Sequence, residues 1–300
     1  MNNSRRLQLM EILTNVIDLN GTEKYAMILG ENPSITARSP RLWNSVYSQL
    51  EMNSVMHPFD VAAERLSELW EFIVQDQRCI GGSVAMPYKQ EVFKLLNGNT
   101  DQVTAQIGAV NCLYRRQDGQ LFGTNTDGPG ALTSIEEEKI DVQSSNVLVF
   151  GIGGVGKSVA ASISNALGSK NSLMCCGRNL ATSQFCDTIG AKFVPLEELD
   201  ARLNSIDLFI NTSSLGFGED QDKSPLSIAQ LKLLKTGCLV FDVIYNPKKT
   251  KLLLGAEQLG HRIKNGESMN LDQAIKAFTI VNELKILRVD IRKMMTNAVN

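Results

Sequence analysis

The sequence carries no excess of either charge. Its 30 lysines and arginines stand against 32 acidic residues, a formal net charge of -2. The isoelectric point is near 5.8. No global field gathers phosphate backbones or anionic lipid, so neither nucleic acid nor a membrane surface is an expected partner. Long apolar runs are missing too. Val147 to Val155 is short and broken by glycine, whereas a spanning helix needs roughly 18 apolar residues or more. At the start, Arg5 and Arg6 precede apolar residues, but Gln8, Glu11, Thr14, Asn15 and Asp18 interrupt any signal-peptide core, and the segment reads as an amphipathic helix. Histidine is scarce: His57 and His261 accompany no GxSxG element, which argues against a serine hydrolase and leaves both as structural residues. The six cysteines (Cys79, Cys112, Cys175, Cys176, Cys186 and Cys238) include no CxxC pair and lie mostly in apolar runs, as buried reduced thiols of a cytoplasmic protein do. Cys175 and Cys176 are adjacent on a strand and point to opposite faces, so no metal site is expected there or elsewhere.

What is present is alternation. Internal repeats and low-complexity tracts are absent, and strand-like runs alternate with helical patterns in an α/β rhythm. A chain of 300 residues favours two domains. The first part predicts strands at Tyr25–Leu29, Cys79–Val84, Val110–Tyr114 and Leu121–Gly123, with helices at Pro40–Leu50, Val61–Gln75 and Tyr88–Asn97. From Asn146 the rhythm is regular: Val147–Phe150, Leu173–Cys176, Phe193–Pro195, Asp207–Asn211, Leu239–Val243 and Arg262–Lys264, each followed by a helical stretch. Strands apolar on both faces belong to a parallel doubly wound sheet. The joint between domains is expected between Thr126 and Val142. The helical end, Leu271 to Asn300, has no strand after it and is expected to return to the first domain.

One segment reads two ways. Gly151-Ile-Gly-Gly-Val-Gly-Lys-Ser158 follows a strand and opens a helix, so its amides suit a phosphate. It satisfies both the dinucleotide pattern (Gly151, Gly153, Gly156) and the P-loop pattern ending at Lys157 and Ser158. For a triphosphate the only fair magnesium-organising acid is Asp242, inside its strand. A dinucleotide predicts a second strand with a ribose-reading residue at its tip, and Leu173–Cys176 followed by Gly177-Arg178 supplies it. An arginine there suits a 2′-phosphate.

Three polar residues stand near strand ends in the first part. Lys89 opens a helix, where a cation is disfavoured by about 0.3–1 kcal/mol. Asn111 and Asp127 each end a short motif. Alone they would pass for a surface lysine, a satisfied strand amide and a turn residue before glycine. Together, just before a dinucleotide-type domain, they match the needs of alcohol oxidation, in which hydride leaves carbon while a positioned base takes the hydroxyl proton.

These segments resemble the shikimate dehydrogenase family from Tyr25 to Val281. The resemblance runs through Asn32-Pro33, Ser39-Pro40 and Asn44, then Gly82–Lys89, Gly108–Asn111, Gly123–Gly128 and the glycine loop. It continues in Asn211–Gly216, Phe241–Pro247 with Thr250, then Gly266, Met269 and Gln273-Ala274. It implies an open-sheet substrate domain (1–127 with 266–300) and a Rossmann-type NAD(P) domain (128–265). It further implies acid–base chemistry at Lys89 and Asp127, and a carboxylated ring substrate held by Ser39, Asn111, Tyr245 and Gln273. Cofactor contacts fall to Gly151, Gly153, Gly154, Val155, Gly156, Arg178 and Gly266. The implied reaction is NADP-dependent reduction of 3-dehydroshikimate to shikimate, in a cytoplasmic monomer or homodimer. The chain departs from the family pattern at Ala37, Trp43, Ser83 and Ala85, and the two donors lost, at Ala37 and Ala85, cost roughly 1–3 kcal/mol each if the ligand groups stay unpaired. Quinate, an aminoshikimate or another hydroxy acid therefore stands as an alternative substrate. Gly177-Arg178-Asn179 favours NADP and leaves NAD open. A P-loop ATPase and a non-catalytic NADP or metabolite sensor are the rival classes.

Overall fold

The structure, a computed structural model, describes residues 3–19, 23–168, 172–284 and 286–298. It divides into two compact units, Met1–Thr126 with Ala274–Asn300, and Asp127–Gln273. In chain order the first contains α1 (Asn3–Ile12), β1 (Lys24–Gly30), α2 (Pro33–Thr36), α3 (Ser39–Gln49), β2 (Ser54–Asp60) and α4 (Leu66–Gln75). β3 (Cys79–Val84), α5 (Lys89–Leu95), α6 (Gln102–Ile107), β4 (Cys112–Arg115) and β5 (Leu121–Thr124) follow.

Its sheet has the order β2-β1-β3-β4-β5. β1 runs parallel to β2 and β3, while β4 is antiparallel to β3 and to β5. The C-terminal ends of β1, β2, β3 and β5 therefore share one end of the sheet with the start of β4. β1 lies inside the sheet and is buried on both faces, which is why its run Tyr-Ala-Met-Ile-Leu does not alternate. One face packs Tyr25, Met27, Leu29, Phe59, Leu69 and Val92 together with Leu9, Ile12, Leu13 and Leu19 from the N-terminal segment. Elsewhere in this unit Trp43 and Tyr47 of α3 meet Phe278, with ring centroids 5.2 and 5.1 Å apart.

β2 is the strand the sequence pattern conceals. Its run Ser-Val-Met-His-Pro-Phe-Asp contains Pro58, which normally argues against a strand. The conflict disappears because, among the described residues, β2 has only β1 as a sheet neighbour, and proline is tolerated on an edge.

The second unit contains α7 (Asp127–Glu137), β6 (Val147–Phe150), α8 (Gly154–Ala166), β7 (Leu173–Cys176), α9 (Ser183–Thr188) and β8 (Lys192–Val194). Next come α10 (Asp200–Leu203), β9 (Leu208–Asn211), α11 (Ile228–Leu231), β10 (Leu239–Asp242), α12 (Lys251–Gln258) and β11 (Arg262–Lys264). α13 (Glu267–Val281) begins in this unit and ends in the first. α14 (Arg288–Asn297) lies against α3, where the Ser45 hydroxyl donates to the Met294 carbonyl at 3.0 Å.

All pairings in the second sheet are parallel and its order is β11-β10-β9-β6-β7-β8. Renumbered within the unit, that is the 3-2-1-4-5-6 order of dinucleotide-binding domains. The regular rhythm from Asn146 onward is this sheet, and β6, β7 and β11 carry the bounds the sequence predicts. Every cysteine of the chain is buried and free.

A buried polar cluster locks the ends of β9 and β10. Asn211 donates to Asp242 Oδ1 at 3.1 Å and to the Leu215 carbonyl at 3.2 Å, and its own oxygen accepts from Ser213. Asp242 also accepts from the Ile244 amide at 3.1 Å and the Thr250 hydroxyl at 2.6 Å. Thr250 in turn caps α12. Burial pushes the Asp242 carboxyl up from an ordinary 3.8 to about 6. The folded chain thus holds a proton that the unfolded chain releases between these two values, and stability falls as pH rises through that window. Asp242→Asn keeps the shape and can still donate to Thr250. It is expected to remove that loss, on the order of 2 kcal/mol at neutral pH. Thermal unfolding at pH 4.5 and 7.5 checks this: the variant should equal or exceed the unsubstituted protein at pH 7.5 and lose that advantage at pH 4.5.

Candidate active site

In the first unit the antiparallel turn-back of β4 does the gathering. Ser83 pairs with Cys112, and the Val84 amide donates to the Asn111 carbonyl at 2.8 Å. Asn111 therefore stands at the same sheet end as the segment that leads from β3 to Lys89. The Lys89 carbonyl accepts from the Val110 amide at 2.9 Å, tying the start of α5 to the residue before Asn111. Lys89 is half-buried, at the first position of α5. Ser39 opens α3 after the short α2 and is buried. Lys89 and Asn111 are thus grouped by the sheet.

Asn111 is held firmly. Its side-chain oxygen accepts from the Thr126 amide at 2.7 Å, and its nitrogen donates to the Thr126 hydroxyl at 3.0 Å. Nearby, Asn125 donates to the Ala109 carbonyl at 2.9 Å. Thr126 is a residue the sequence reading passed over. Its signal was its place inside the Gly123–Gly128 motif, but the pairing spans fifteen residues of sequence. Ser83, noted in the sequence only as a departure from the family pattern, has a buried hydroxyl with no hydrogen-bonding partner among the described residues. Such a group wants a ligand oxygen or water.

Asp127 begins the second unit at the start of α7, and is buried. The helix behind it packs without a side chain in the way: a Cβ on Gly128 would lie 2.1 Å from the Ser158 carbonyl. The Gly128 amide donates to the Ser158 hydroxyl at 2.8 Å. This contact decides between the two readings of the glycine loop. Ser158 is fully buried and spent on α7, and the Lys157 ammonium lies over the Phe185 ring, 5.4 Å from its centroid. Neither residue is placed to serve a magnesium triphosphate.

The loop itself fits a dinucleotide. Gly151 has φ +94°, which permits the tight turn out of β6. A Cβ on Gly156 would lie 1.9 Å from the Gly151 carbonyl, so the third glycine allows helix and loop to close. The Thr212 hydroxyl, from the end of β9, donates to the same carbonyl at 2.5 Å. In front of Gly153 there is open space, where a ligand can come against backbone amides at the start of α8. Gly154 and Val155 occupy the first positions of that helix. The loop leaves the sheet between β9 and β6, the point where strand order reverses.

Arg178 is exposed in the turn after β7, and the Gly151 amide bonds the Cys176 carbonyl at 2.8 Å, so this turn adjoins the glycine loop. Asn179 spends its side chain on the Ala181 amide, capping the next turn. Tyr245 is half-buried just past β10. Gly266 packs on β10's extension, where a Cβ would lie 1.9 Å from the Val243 carbonyl. Gln273 is on α13 and donates to the Asn270 carbonyl at 3.0 Å. Lys248 and Lys249 are exposed and form ion pairs with Glu267 and Glu257. His261 bonds the Leu231 carbonyl at 3.0 Å, and burial lowers the His57 pKa.

Residues 28–113 match the shikimate dehydrogenase substrate binding domain. A shikimate dehydrogenase (NADP(+)) of Geobacillus sp. (strain WCH70) is 32% identical over 249 residues, 80% of this chain and 86% of that one. Among solved structures, the shikimate dehydrogenase of Aquifex aeolicus superposes with a TM-score of 0.79 at 25% identity, covering 95% of this chain and 100% of that one. A shikimate dehydrogenase in complex with NADP+ gives a TM-score of 0.78 at 25% identity, covering 95% and 98%. With a dinucleotide-order sheet, an open glycine loop and a polar group at one end of the first sheet already in place, the comparisons complete the assignment: this chain belongs to the shikimate dehydrogenase family.

Proposed function

We propose that this chain is an NADP-dependent shikimate dehydrogenase, converting 3-dehydroshikimate, NADPH and a proton to shikimate and NADP+, and the reverse. The observation that carries the reading is the pairing of two sites in a chain of this family. One is a glycine loop open at Gly153 on a sheet of dinucleotide order. The other is a sheet end that carries Lys89 and Asn111. The first unit serves as the substrate domain and the second as the dinucleotide domain. The enzyme works in the cytoplasm on a small carboxylated ring.

Bound NADPH supplies the hydride. Gly153, Gly154 and Val155 hold its phosphates through backbone amides, Gly151 and Gly156 shape the turn, and Gly266 lets the neighbouring backbone close. Arg178 reads the 2′-phosphate. In the first domain Lys89 gives its proton to the substrate oxygen as the carbonyl is reduced, and takes it back in oxidation. Asp127 orients the exchanging hydroxyl and shares its proton. Asn111, fixed by Thr126, and Gln273 hold neighbouring ring hydroxyls, while Ser39 and Tyr245 bind the carboxylate.

The departures at Ala37 and Ala85 remove donors, but Ser83 keeps one at the same wall. Its unpaired hydroxyl supports a polar ring substrate rather than an apolar one. Shikimate is accordingly the first substrate to offer.

Absorbance at about 340 nm, where the reduced nicotinamide absorbs, checks the reading. Shikimate should reduce NADP+, and Lys89→Ala should lower kcat by about a hundredfold or more while NADP+ binding persists. Activity independent of Lys89 contradicts the assignment of the proton carrier. Silence with every ring acid, despite bound NADP+, contradicts the activity, and magnesium-dependent ATP hydrolysis contradicts the class. For cofactor choice, Arg178→Ala should reduce the preference for NADP+ over NAD+ about tenfold, as loss of one exposed charge-assisted contact does. An unchanged ratio of kcat/KM for the two cofactors removes Arg178 from that role.

A further inference from the structure

Asp60 is a buried carboxylate, 4% exposed, that the chemistry above does not use. It ends β2. Its oxygens take both donors of Ser34, the backbone amide at 2.8 Å and the hydroxyl. Ser34 is the second residue of α2, and Asn32, which precedes that turn, offers no side-chain cap. Asp60 thus supplies, from the next strand, the acceptor that the turn lacks. α2 closes with the Ala37 amide on the Pro33 carbonyl at 3.0 Å. Ser39 follows two residues later.

Asp60 is itself held from outside the sheet. Leu13 bridges Val61 antiparallel, and the Thr14 amide donates to the Asp60 carbonyl at 2.9 Å. Asn15 completes the pairing with its side chain, accepting from the Asp60 amide at 3.0 Å and donating to the Pro58 carbonyl at 3.0 Å. Its carboxamide does for the edge strand what a neighbouring peptide group would do. Leu13 and Leu19 are buried and anchor this strap. Asn15 lies outside residues 28–113, the part that matches the substrate binding domain.

We propose that Asn15 and Asp60 are positioning residues for recognition of the substrate's acid group: the strap fixes Asp60, Asp60 fixes α2, and α2 delivers Ser39 to the carboxylate. The proposal rests on the reading of Ser39 given above. Neither residue touches the substrate. The carboxylate is remote from the carbon that exchanges hydride, so loosening its grip weakens ground state and transition state alike. That raises KM and leaves kcat.

The test is steady-state oxidation of shikimate by the full chain and its variants Ser39→Ala, Asp60→Ala, Asp60→Asn and Asn15→Ala, with melting temperature and amide exchange over residues 33–38. Asp60→Ala is expected to raise KM for shikimate about tenfold and Asn15→Ala about threefold, the loss of one to two well-made hydrogen bonds. kcat and KM for NADP+ should stay within about twofold, and exchange should quicken at 33–38. Asp60→Asn should recover most of the loss, because its oxygen still accepts the Ser34 amide and its nitrogen can donate to the Ser34 hydroxyl. If Ser39→Ala raises KM while Asp60→Ala and Asn15→Ala do not, the positioning role is wrong and the reading of Ser39 stands. If Ser39→Ala leaves KM unchanged, that reading fails and takes the proposal with it. A parallel fall in kcat, NADP+ affinity and melting temperature also overturns the proposal, because it marks general destabilisation.

Discussion

The second unit depends on an approach that one methyl group would abolish. Gly156 sits so near the Gly151 carbonyl that a Cβ would lie 1.9 Å from it, and Thr212 fastens the same carbonyl by its hydroxyl. This brings the first turn of α8 onto the ends of β6 and β9. With those two backbones locked together, Gly153 faces open space. A phosphate can then meet amides that have no intrahelical partner. Open α/β sheets bind ligands outside the carboxyl ends of strands where the order reverses, and the loop stands at that place. The buried cluster of Asn211, Asp242 and Thr250 continues the constraint into β10, so that the turn carrying Tyr245 starts from a fixed point.

The first unit solves a different problem with strand direction. Residues far apart in sequence must present polar groups at one sheet end, and a wholly parallel sheet would start its strands at the other. Reversing β4 places Asn111 just ahead of its strand yet beside the end of β3. The next reversal brings Thr126 back to bond Asn111, one residue before Asp127. The spacing of these groups is thus a consequence of register, and a slip of one residue would turn the side chains to the opposite face.

How much of this can be read from the sequence depends on distance along the chain. The dinucleotide sheet is legible because strands buried on both faces are short unbroken apolar runs, and β6 and β7 begin and end where those runs do. β2 is hidden by Pro58, whose tolerance depends on the strand being at an edge, a fact of topology rather than pattern. The glycine loop is legible as a phosphate site but not as one kind of site, because the lysine and serine of a P-loop are both present. What resolves it is Ser158 accepting from Gly128, thirty residues earlier. Thr126 and Asp60 escape for the same reason, since a threonine after an asparagine and an aspartate after a phenylalanine carry no local signal. Family motifs recover Lys89 and Asp127 as candidates, although each alone passes for a surface or turn residue.

The central claim is that the space in front of Gly153 receives the phosphates of NADP. Electron density from crystals of the chain grown with NADP+ tests it most directly. The account predicts the pyrophosphate against the amides of Gly153 to Val155, with the 2′-phosphate beside Arg178. A nucleotide bound instead through Lys157 and Ser158, or one whose phosphates avoid this loop, would contradict it.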